Sequence, residues 1–201
     1  MRSFTVVPAA GRSLRMGRPK LFLPWGASTV IEHVLSAWQS SRVSRIVVTV
    51  HPDDTALAEI CRNAGVDVVV TRPAPRDMKA SVLQGLDHLA TVDRPAPGDV
   101  WLLAPADMPL LTAGVIDQVL AAALAAPGEI VVPCRQGRRG HPVAFPWPMA
   151  DAARGLSADQ GLNQLLSLYP VRFIELGEQL SLVDLDTPDD YLRLRDGPAK
   201  S

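Results

Sequence analysis

The sequence predicts an α/β fold in which a mainly parallel β-sheet is covered by helices on both faces. Seven short apolar runs, most of them rich in valine and isoleucine, recur along the 201 residues, and most are separated by helical patterns. Apolar runs bounded by Gly, Pro and Asp are typical of strands buried on both faces. Their alternation with helices implies right-handed crossovers between parallel strands.

The predicted elements follow one another in a regular order. The strands are FTVV, RIVVTV, VDVVV, VWLLA, EIVVP, PVAF and VRFIEL. The helices are STVIEHVLSAWQ, DDTALAEICRNAG, MKASVLQGLDHLA, TAGVIDQVLAAALAA and DQGLNQLLSLY. Thr29 and Glu32 form a capping-box pattern at the first helix, and the second helix stops at Gly65. In such sheets, ligands bind beyond the carboxyl ends of the strands.

The composition indicates one soluble globular domain over residues 1–201. Hydrophobic residues make up 47% and charged residues 20% of the chain, and the formal net charge is −1. We therefore expect neither nucleic acid nor a membrane as a partner. The N-terminus does not read as a signal peptide, so we expect a cytoplasmic protein. Cys61 and Cys134 fit no metal or disulfide spacing and are interpreted as inert thiols.

A basic loop follows the first strand. Its sequence, PAAGRSLRMGRPK over residues 8–20, contains two glycines and four cations. Gly11 permits a tight turn whose backbone N–H groups can approach an anion, and Arg15 and Lys20 could neutralise phosphate oxygens. Ser13 stands where a dinucleotide fingerprint would need glycine, and no P-loop Gly-Lys-Ser/Thr follows. The alternative is a solvated basic loop.

Two acidic positions also follow apolar runs. Asp107 comes after VWLLA, and Asp184 and Asp186 lie in LSLVDLDTPDDY. Each could be a turn or cap residue, especially Asp186, which precedes a good helix start. Magnesium is typically held by one or two carboxylates, with waters and substrate phosphates completing the shell. Together with the basic loop, these acids predict a magnesium–triphosphate site.

A second basic loop, CRQGRRGHPVAF, leads into a later strand. Arg135, Arg138 and Arg139 surround two glycines and could form an anion site for an acceptor substrate. His141 is either a general base or, as the favoured interpretation, a structural histidine that anchors the loop. The chain has no convincing nucleophile with an attached base. A phosphate acceptor needs none, because its second pKa is about 6.

Four ordered motifs resemble the MobA-like nucleotidyltransferases, most closely their molybdenum cofactor cytidylyltransferase branch. They are AAGRSLRMGRPK, ADMPLL, GRRGHPVAF and LVDLDTPDDY, and the resemblance spans residues 4 to about 194. It implies a three-layer α/β/α Rossmann-like fold that transfers NMP from NTP to an acceptor and releases pyrophosphate. It also implies a nucleotide-binding half over residues 1 to about 110 and an acceptor-binding half over about 111–195.

The resemblance also implies roles for particular residues. The catalytic residues would be Lys20, Arg15 and Asp107, and Mg²⁺ would be held by Asp107 and Asp186. The acceptor would be bound by Arg138, Arg139, Gly140 and His141. The nucleotide would be bound by Ala9, Ala10, Gly11, Arg12, Ser13, Arg15, Lys20 and Ser81. Asp77 and Lys79 depart from the family pattern, since small residues are expected there.

The activity implied by the resemblance is transfer of CMP from CTP to the phosphate of molybdenum-molybdopterin. In this family, Ala-Ala in the first turn tends to accompany cytidine use, and Gly-Gly guanosine use. The alternatives are guanylyl transfer, a sugar or polyol phosphate as acceptor, or a non-catalytic carrier of a pterin cofactor. A molybdoenzyme or its maturation factor would be the downstream partner.

Overall fold

A mixed β-sheet forms the centre of the computed structural model, which describes residues 1–11, 16–17 and 19–196. The sheet strands are β1 Ser3–Ala9, β4 Arg45–Val50, β5 Asp67–Val70, β6 Val100–Leu103, β7 Ile130–Arg135, β8 Arg138–Arg139, β9 Val143–Pro146 and β10 Val171–Glu175. A separate two-stranded hairpin consists of β2 Pro24–Trp25 and β3 Ser28–Thr29. All seven apolar runs of the sequence therefore form strands of the main sheet, as predicted.

The strand order is β10-β7-β9-β6-β1-β4-β5, with β8 paired to β7. Strand β1 is parallel to both β4 and β6, β4 is parallel to β5, and β10 is parallel to β7. Strand β9 runs antiparallel to β6 and β7, and β8 runs antiparallel to β7. The prediction of a mainly parallel sheet is confirmed, and the carboxyl ends of β1, β4 and β6 share one edge.

The helices are α1 Val30–Gln39, α2 Thr55–Asn63, α3 Met78–Val92, α4 Ala113–Ala125, α5 Met149–Gly155, α6 Leu165–Leu168 and α7 Pro188–Asp196. The first four correspond to predicted helices. The pattern DQGLNQLLSLY instead forms a short 3-10 turn and the single turn α6. The helical segment ends at Leu168 because Pro170 disfavours the helical region for Tyr169. Helix α5 and the β2–β3 hairpin were not predicted, since both are too short to show a period.

Capping boxes begin helices α1 and α7. At α1, the Thr29 N–H donates to Glu32 Oε2 at 2.8 Å, and the Glu32 N–H donates to Thr29 Oγ1 at 3.4 Å. This confirms the predicted box. At α7, the Asp190 N–H donates to Thr187 Oγ1 at 3.1 Å, and the Thr187 N–H donates to Asp190 Oδ2 at 3.0 Å. Each reciprocal pair satisfies backbone donors that the first helical turn leaves open.

The core is divided into two clusters by the sheet. Val6 and Val7 are adjacent on β1, so their side chains point to opposite faces, and they belong to different clusters. The cluster with Val7 contains apolar side chains of α1, α2 and α4, whereas the cluster with Val6 contains those of α3 and α5. Helices thus cover both faces, which confirms the three-layer α/β/α arrangement.

Both cysteines are buried and unpaired. Burial raises the pKa of Cys61 to about 12, and the pKa of Cys134 is raised by partial burial and by the neighbouring Glu175. Both side chains therefore remain protonated thiols at neutral pH, as expected for inert cysteines. Among the described residues, no helix combines the length and the apolar character needed to cross a bilayer.

Candidate active site

The chain emerges from β1 at the carboxyl edge of the sheet with two small buried residues. Ala9 and Ala10 are 4% and 8% exposed, and Gly11 is exposed with open space where a Cβ would lie. The next residues of the basic loop, including the predicted nucleotide contacts Arg12, Ser13 and Arg15, lie outside the described residues. The described part therefore contains the two ends of this loop.

Lys20 ends the basic loop, and its side chain points into the carboxyl edge of the sheet. It begins a 3-10 turn whose neighbours Leu21 and Leu23 are buried in the core, which fixes the backbone. Its ammonium group donates to Asp107 Oδ2 and, at 3.4 Å, to Asp186 Oδ1. The structure thus brings together three predicted site residues that lie far apart in the chain.

Backbone hydrogen bonds hold the two acidic segments in place. The Ala106 N–H donates to the Pro8 carbonyl at 3.3 Å, so the Asp107 loop is joined to the end of β1. The Leu185 N–H donates to the Asp107 carbonyl at 3.0 Å, and the Leu185 side chain is fully buried. Because Asp184 and Asp186 flank Leu185, both acids are carried to the Asp107 loop.

Asp186 and Asp184 differ in their surroundings. Thr187 caps helix α7, so Asp186 is not required for that role and its carboxylate contacts Lys20. Asp184 is exposed as a whole residue, yet partial burial of its carboxyl group raises its pKa to about 6. The charges of Asp107 and Asp186 add to this increase. The edge of the sheet therefore carries more negative charge than Lys20 alone neutralises.

The carboxylates fit a divalent cation. Asp107 Oδ1 is buried and has no hydrogen-bond partner among the residues that the structure describes, and an unsatisfied buried carboxylate oxygen is costly. In the same residues, no group of three or more His, Cys, Asp or Glu side chains is arranged to hold a metal alone. Two carboxylates with substrate phosphates are, however, the donor set that Mg²⁺ ordinarily takes.

The second basic loop is a β-hairpin formed by β7 and β8. Its turn residues Gln136 and Gly137 have φ of 52° and 74°, as a two-residue turn with positive φ at both positions requires. Arg135 pairs directly with Arg138, and Cys134 pairs with Arg139. Directly opposed residues share a face of the sheet, and successive residues alternate. The adjacent residues Arg138 and Arg139 therefore point to opposite faces.

Arg138 lines a cavity of about 410 Å³, and Arg139 does not. The Arg139 guanidinium instead lies over the ring of Phe173, 5.6 Å from its centroid. On the cavity side, Arg135 forms an ion pair with Glu178 at 2.7 Å, whereas Arg138 has no ion pair within the described part of the chain. The cavity is lined by Leu110, Arg135, Gln136, Arg138, Glu178, Gln179, Leu180, Ser181, Leu182 and Val183.

Gly140 and His141 hold this hairpin against the sheet. The Gly140 N–H donates to the Pro133 carbonyl at 2.8 Å, and a Cβ on Gly140 would lie 2.8 Å from a methyl group of Leu180. His141 Nδ1 lies 3.2 Å from the Leu103 carbonyl, which can only accept, so Nδ1 carries the proton. Burial lowers the pKa of His141. This neutral, hydrogen-bonded ring supports the anchoring role over that of a general base.

Ser81 and Lys79 of helix α3 both point into the interior. The Ser81 hydroxyl is 2.6 Å from Thr49 Oγ1 and the residue is 2% exposed, so it joins α3 to β4. Lys79 is 6% exposed, and its ammonium group donates to the carbonyls of Ser157 and Gln160 at 2.5 Å each. Lys79, which departs from the family pattern, thus holds a neighbouring loop. In the sequence, a lysine among the apolar residues of one helix face was the only indication of this structural role.

Segment 178–183 forms one side of the cavity, and sequence reasoning did not identify it. It contributes a 3-10 turn end, an acid and several aliphatic residues, and only its last residues overlap the LVDLDTPDDY motif. It approaches the basic hairpin because β10 pairs beside β7, which is a tertiary relation. Only the proximity of this segment in sequence to the Asp184–Asp186 stretch hinted at a role.

Comparisons with known proteins agree with this geometry. The family model of the MobA-like NTP transferase domain matches residues 5–175. A molybdenum cofactor cytidylyltransferase from Escherichia coli K12 is 27% identical, covering 95% of this chain and 94% of its own. A molybdenum cofactor guanylyltransferase from Xanthomonas euvesicatoria is 26% identical, covering 94% and 92%.

Solved structures show the same similarity. A crystal structure of Rv0371c from Mycobacterium tuberculosis superposes with a TM-score of 0.82 at 29% identity, covering 98% of this chain and 100% of the other. A structure of Rv0371c in complex with manganese superposes with a TM-score of 0.76 at 27% identity, with the same coverage. These two structural similarities each extend over 98% of this chain.

Proposed function

Since the chain belongs to the family of MobA-like NTP transferases, we propose that it transfers CMP from CTP to the phosphate of a molybdopterin-type acceptor. Pyrophosphate is the second product. The observation that carries the proposal is the meeting of Lys20, Asp107 and Asp186 at the carboxyl ends of the strands. This edge is where sheets of this type bind their ligands.

The nucleotide occupies the edge next to β1. Ala9 and Ala10 leave room beside the backbone, the Gly11 N–H faces the triphosphate, and Arg12, Ser13 and Arg15 supply the other contacts of the loop. The Ala-Ala pair and the similarity to a cytidylyltransferase both favour CTP. The comparable similarity to a guanylyltransferase makes GTP the necessary comparison in any assay.

Asp107 and Asp186 would hold a magnesium ion, which when bound offsets the negative charge of the triphosphate. Their carboxylate oxygens and the unsatisfied Oδ1 of Asp107 support this assignment, as does the manganese complex of the related Rv0371c. Lys20 stabilises the crowded phosphorus centre, and Arg15 stabilises the departing pyrophosphate.

The acceptor phosphate is its own nucleophile. With a second pKa of about 6, it is largely dianionic at neutral pH and requires no general base, which suits the hydrogen-bonded His141. One of its oxygens attacks the α-phosphorus of CTP, and the bond from that phosphorus to the bridging oxygen of the β-phosphate breaks. Arg138 positions the acceptor in the neighbouring cavity, since within the described residues it forms no ion pair and the cavity's Glu178 is paired with Arg135.

The proposal is tested by product analysis with purified protein. CTP or GTP is mixed with Mg²⁺ and either molybdenum-molybdopterin or a sugar or polyol phosphate, and pyrophosphate release and product mass are measured. We expect release only with CTP and the pterin, and a product with the mass of the cytosine dinucleotide. Turnover with GTP or with a polyol phosphate would reassign the substrate, and binding of the pterin with no pyrophosphate release would indicate a carrier.

A further inference from the structure

We infer, on the basis of the function proposed above, that Lys20 is the counter-cation of Asp107 and Asp186 in the metal-free protein and competes with a divalent cation for them. The ammonium group donates to one oxygen of each carboxylate. Lys20 therefore offsets part of the negative charge of the site until it is drawn elsewhere. A free divalent cation must displace an ion pair before it can bind.

The positions of the three side chains support this competition. Lys20 and Asp107 are each only 15% exposed, so their contact is shielded from solvent and salt more than a surface ion pair would be. Mg²⁺ binds carboxylate oxygens at about 2.0–2.1 Å. A cation held by the oxygens that now accept from Lys20 would leave no room for the ammonium group, and the two positive charges would repel each other.

The carboxylate charge that Lys20 leaves unpaired shows that one ammonium group does not replace a divalent cation. Asp107 Oδ1 has no hydrogen-bond partner among the described residues, and Asp184 adds a third carboxyl group nearby. The lysine therefore lowers the affinity for a cation without removing the site. A bound triphosphate offers Lys20 phosphate oxygens as alternative partners, so we infer that the cation enters with the nucleotide rather than before it.

The test is the affinity of the nucleotide-free protein for Mn²⁺, followed by the paramagnetic resonance signal of the free ion. Lys20→Met keeps the length of the side chain and removes its charge. We expect the variant to bind Mn²⁺ about tenfold more tightly than the wild type, within the ordinary range of coupling between sites. Mn²⁺ alone should also raise the melting temperature of the variant more than that of the wild type.

Arg42→Met is the matched control. This substitution also removes one positive charge, but the Arg42 side chain is 69% exposed and pairs with Asp117. Arg42 precedes β4 and so lies at the opposite edge of the sheet from Lys20. Its Mn²⁺ affinity should equal that of the wild type. Lys20→Gln serves as a second variant if Lys20→Met does not fold, which circular dichroism would show.

The inference would be overturned if a folded Lys20 variant bound Mn²⁺ no more tightly than the wild type. It would also be overturned if Arg42→Met gained as much Mn²⁺ affinity as the Lys20 variant. If the wild type binds free Mn²⁺ as tightly as the Lys20 variants, Lys20 is not a competitor. These results are independent of the acceptor and of turnover. Failure to release pyrophosphate would thus contradict the proposed reaction while leaving the competition measurable.

Discussion

Arg138 and Arg139 are adjacent in sequence, yet we expect their substitution to have separate effects. Arg138 lines the cavity and has no ion pair among the described residues, whereas Arg139 lies over the exposed ring of Phe173 on the other face. Replacing either arginine by Ala removes the same guanidinium group and aliphatic chain, at positions one residue apart. The pair is thus a matched test of which face of the hairpin binds the acceptor.

The expected magnitudes follow from these contacts. A hydrogen bond to a charged group contributes about 1.5–3 kcal/mol, so Arg138→Ala should lower kcat/KM for the acceptor about 10- to 150-fold. The KM for CTP should change little, because the cavity is formed by the later half of the chain. Arg139→Ala loses a cation–π contact of about 0.5–1 kcal/mol at an exposed site. Its effect should be a small loss of stability.

The assay is steady-state pyrophosphate release with the acceptor varied at saturating CTP, then with CTP varied at saturating acceptor. Urea denaturation of each variant gives the change in the free energy of unfolding. A comparable loss of acceptor kcat/KM in both variants would refute the assignment of faces. A loss in Arg139→Ala alone would reverse it and place the acceptor near Phe173.

Three further outcomes are expected. Asp107→Asn keeps the shape of the side chain but should lower turnover by orders of magnitude, while circular dichroism shows the fold intact; near wild-type turnover would contradict the metal assignment. Burial lowers the pKa of His141 from its ordinary value of 6.5. The folded protein therefore binds a proton here less readily than the unfolded chain, and the free energy of unfolding falls as the pH drops below about 6.5. His141→Asn, which still donates to the Leu103 carbonyl, should show a smaller fall in melting temperature between pH 7.5 and 5. Gly85→Ala places a methyl group 2.7 Å from a valine of β1 and should destabilise by about 1–3 kcal/mol, whereas Gly114→Ala, with no atom nearer than 3.9 Å, should not.

The element types were determined by local sequence. Apolar runs of valine and isoleucine bounded by Gly, Pro and Asp can be buried on both faces only as strands of a covered sheet. The capping boxes of α1 and α7 also depend on residues three apart. The elements that escaped prediction, α5 and the β2–β3 hairpin, are too short for a periodic pattern.

The membership of the acidic cluster was partly readable from sequence. Asp107 was identifiable because it follows a strand, and Lys20 because it ends a basic loop. The choice between Asp184 and Asp186 was not, since both lie in the same extended stretch. The hydrogen bond from the Leu185 N–H to the Asp107 carbonyl brings both acids to the sheet edge, and the contact of Asp186 with Lys20 distinguishes them.

The strands, the main helices and the chemical types of the site residues thus follow from local hydrophobicity, turn chemistry and charge. Which side chains face one another depends instead on how distant segments pack. The Ser81 hydroxyl, for example, meets Thr49 inside the α3–β4 contact. Arg138 and Arg139 are indistinguishable in the sequence, but the register of β8 on β7 directs their side chains to opposite faces of the sheet. Side-chain direction depends on pairing between distant segments, which local sequence does not specify.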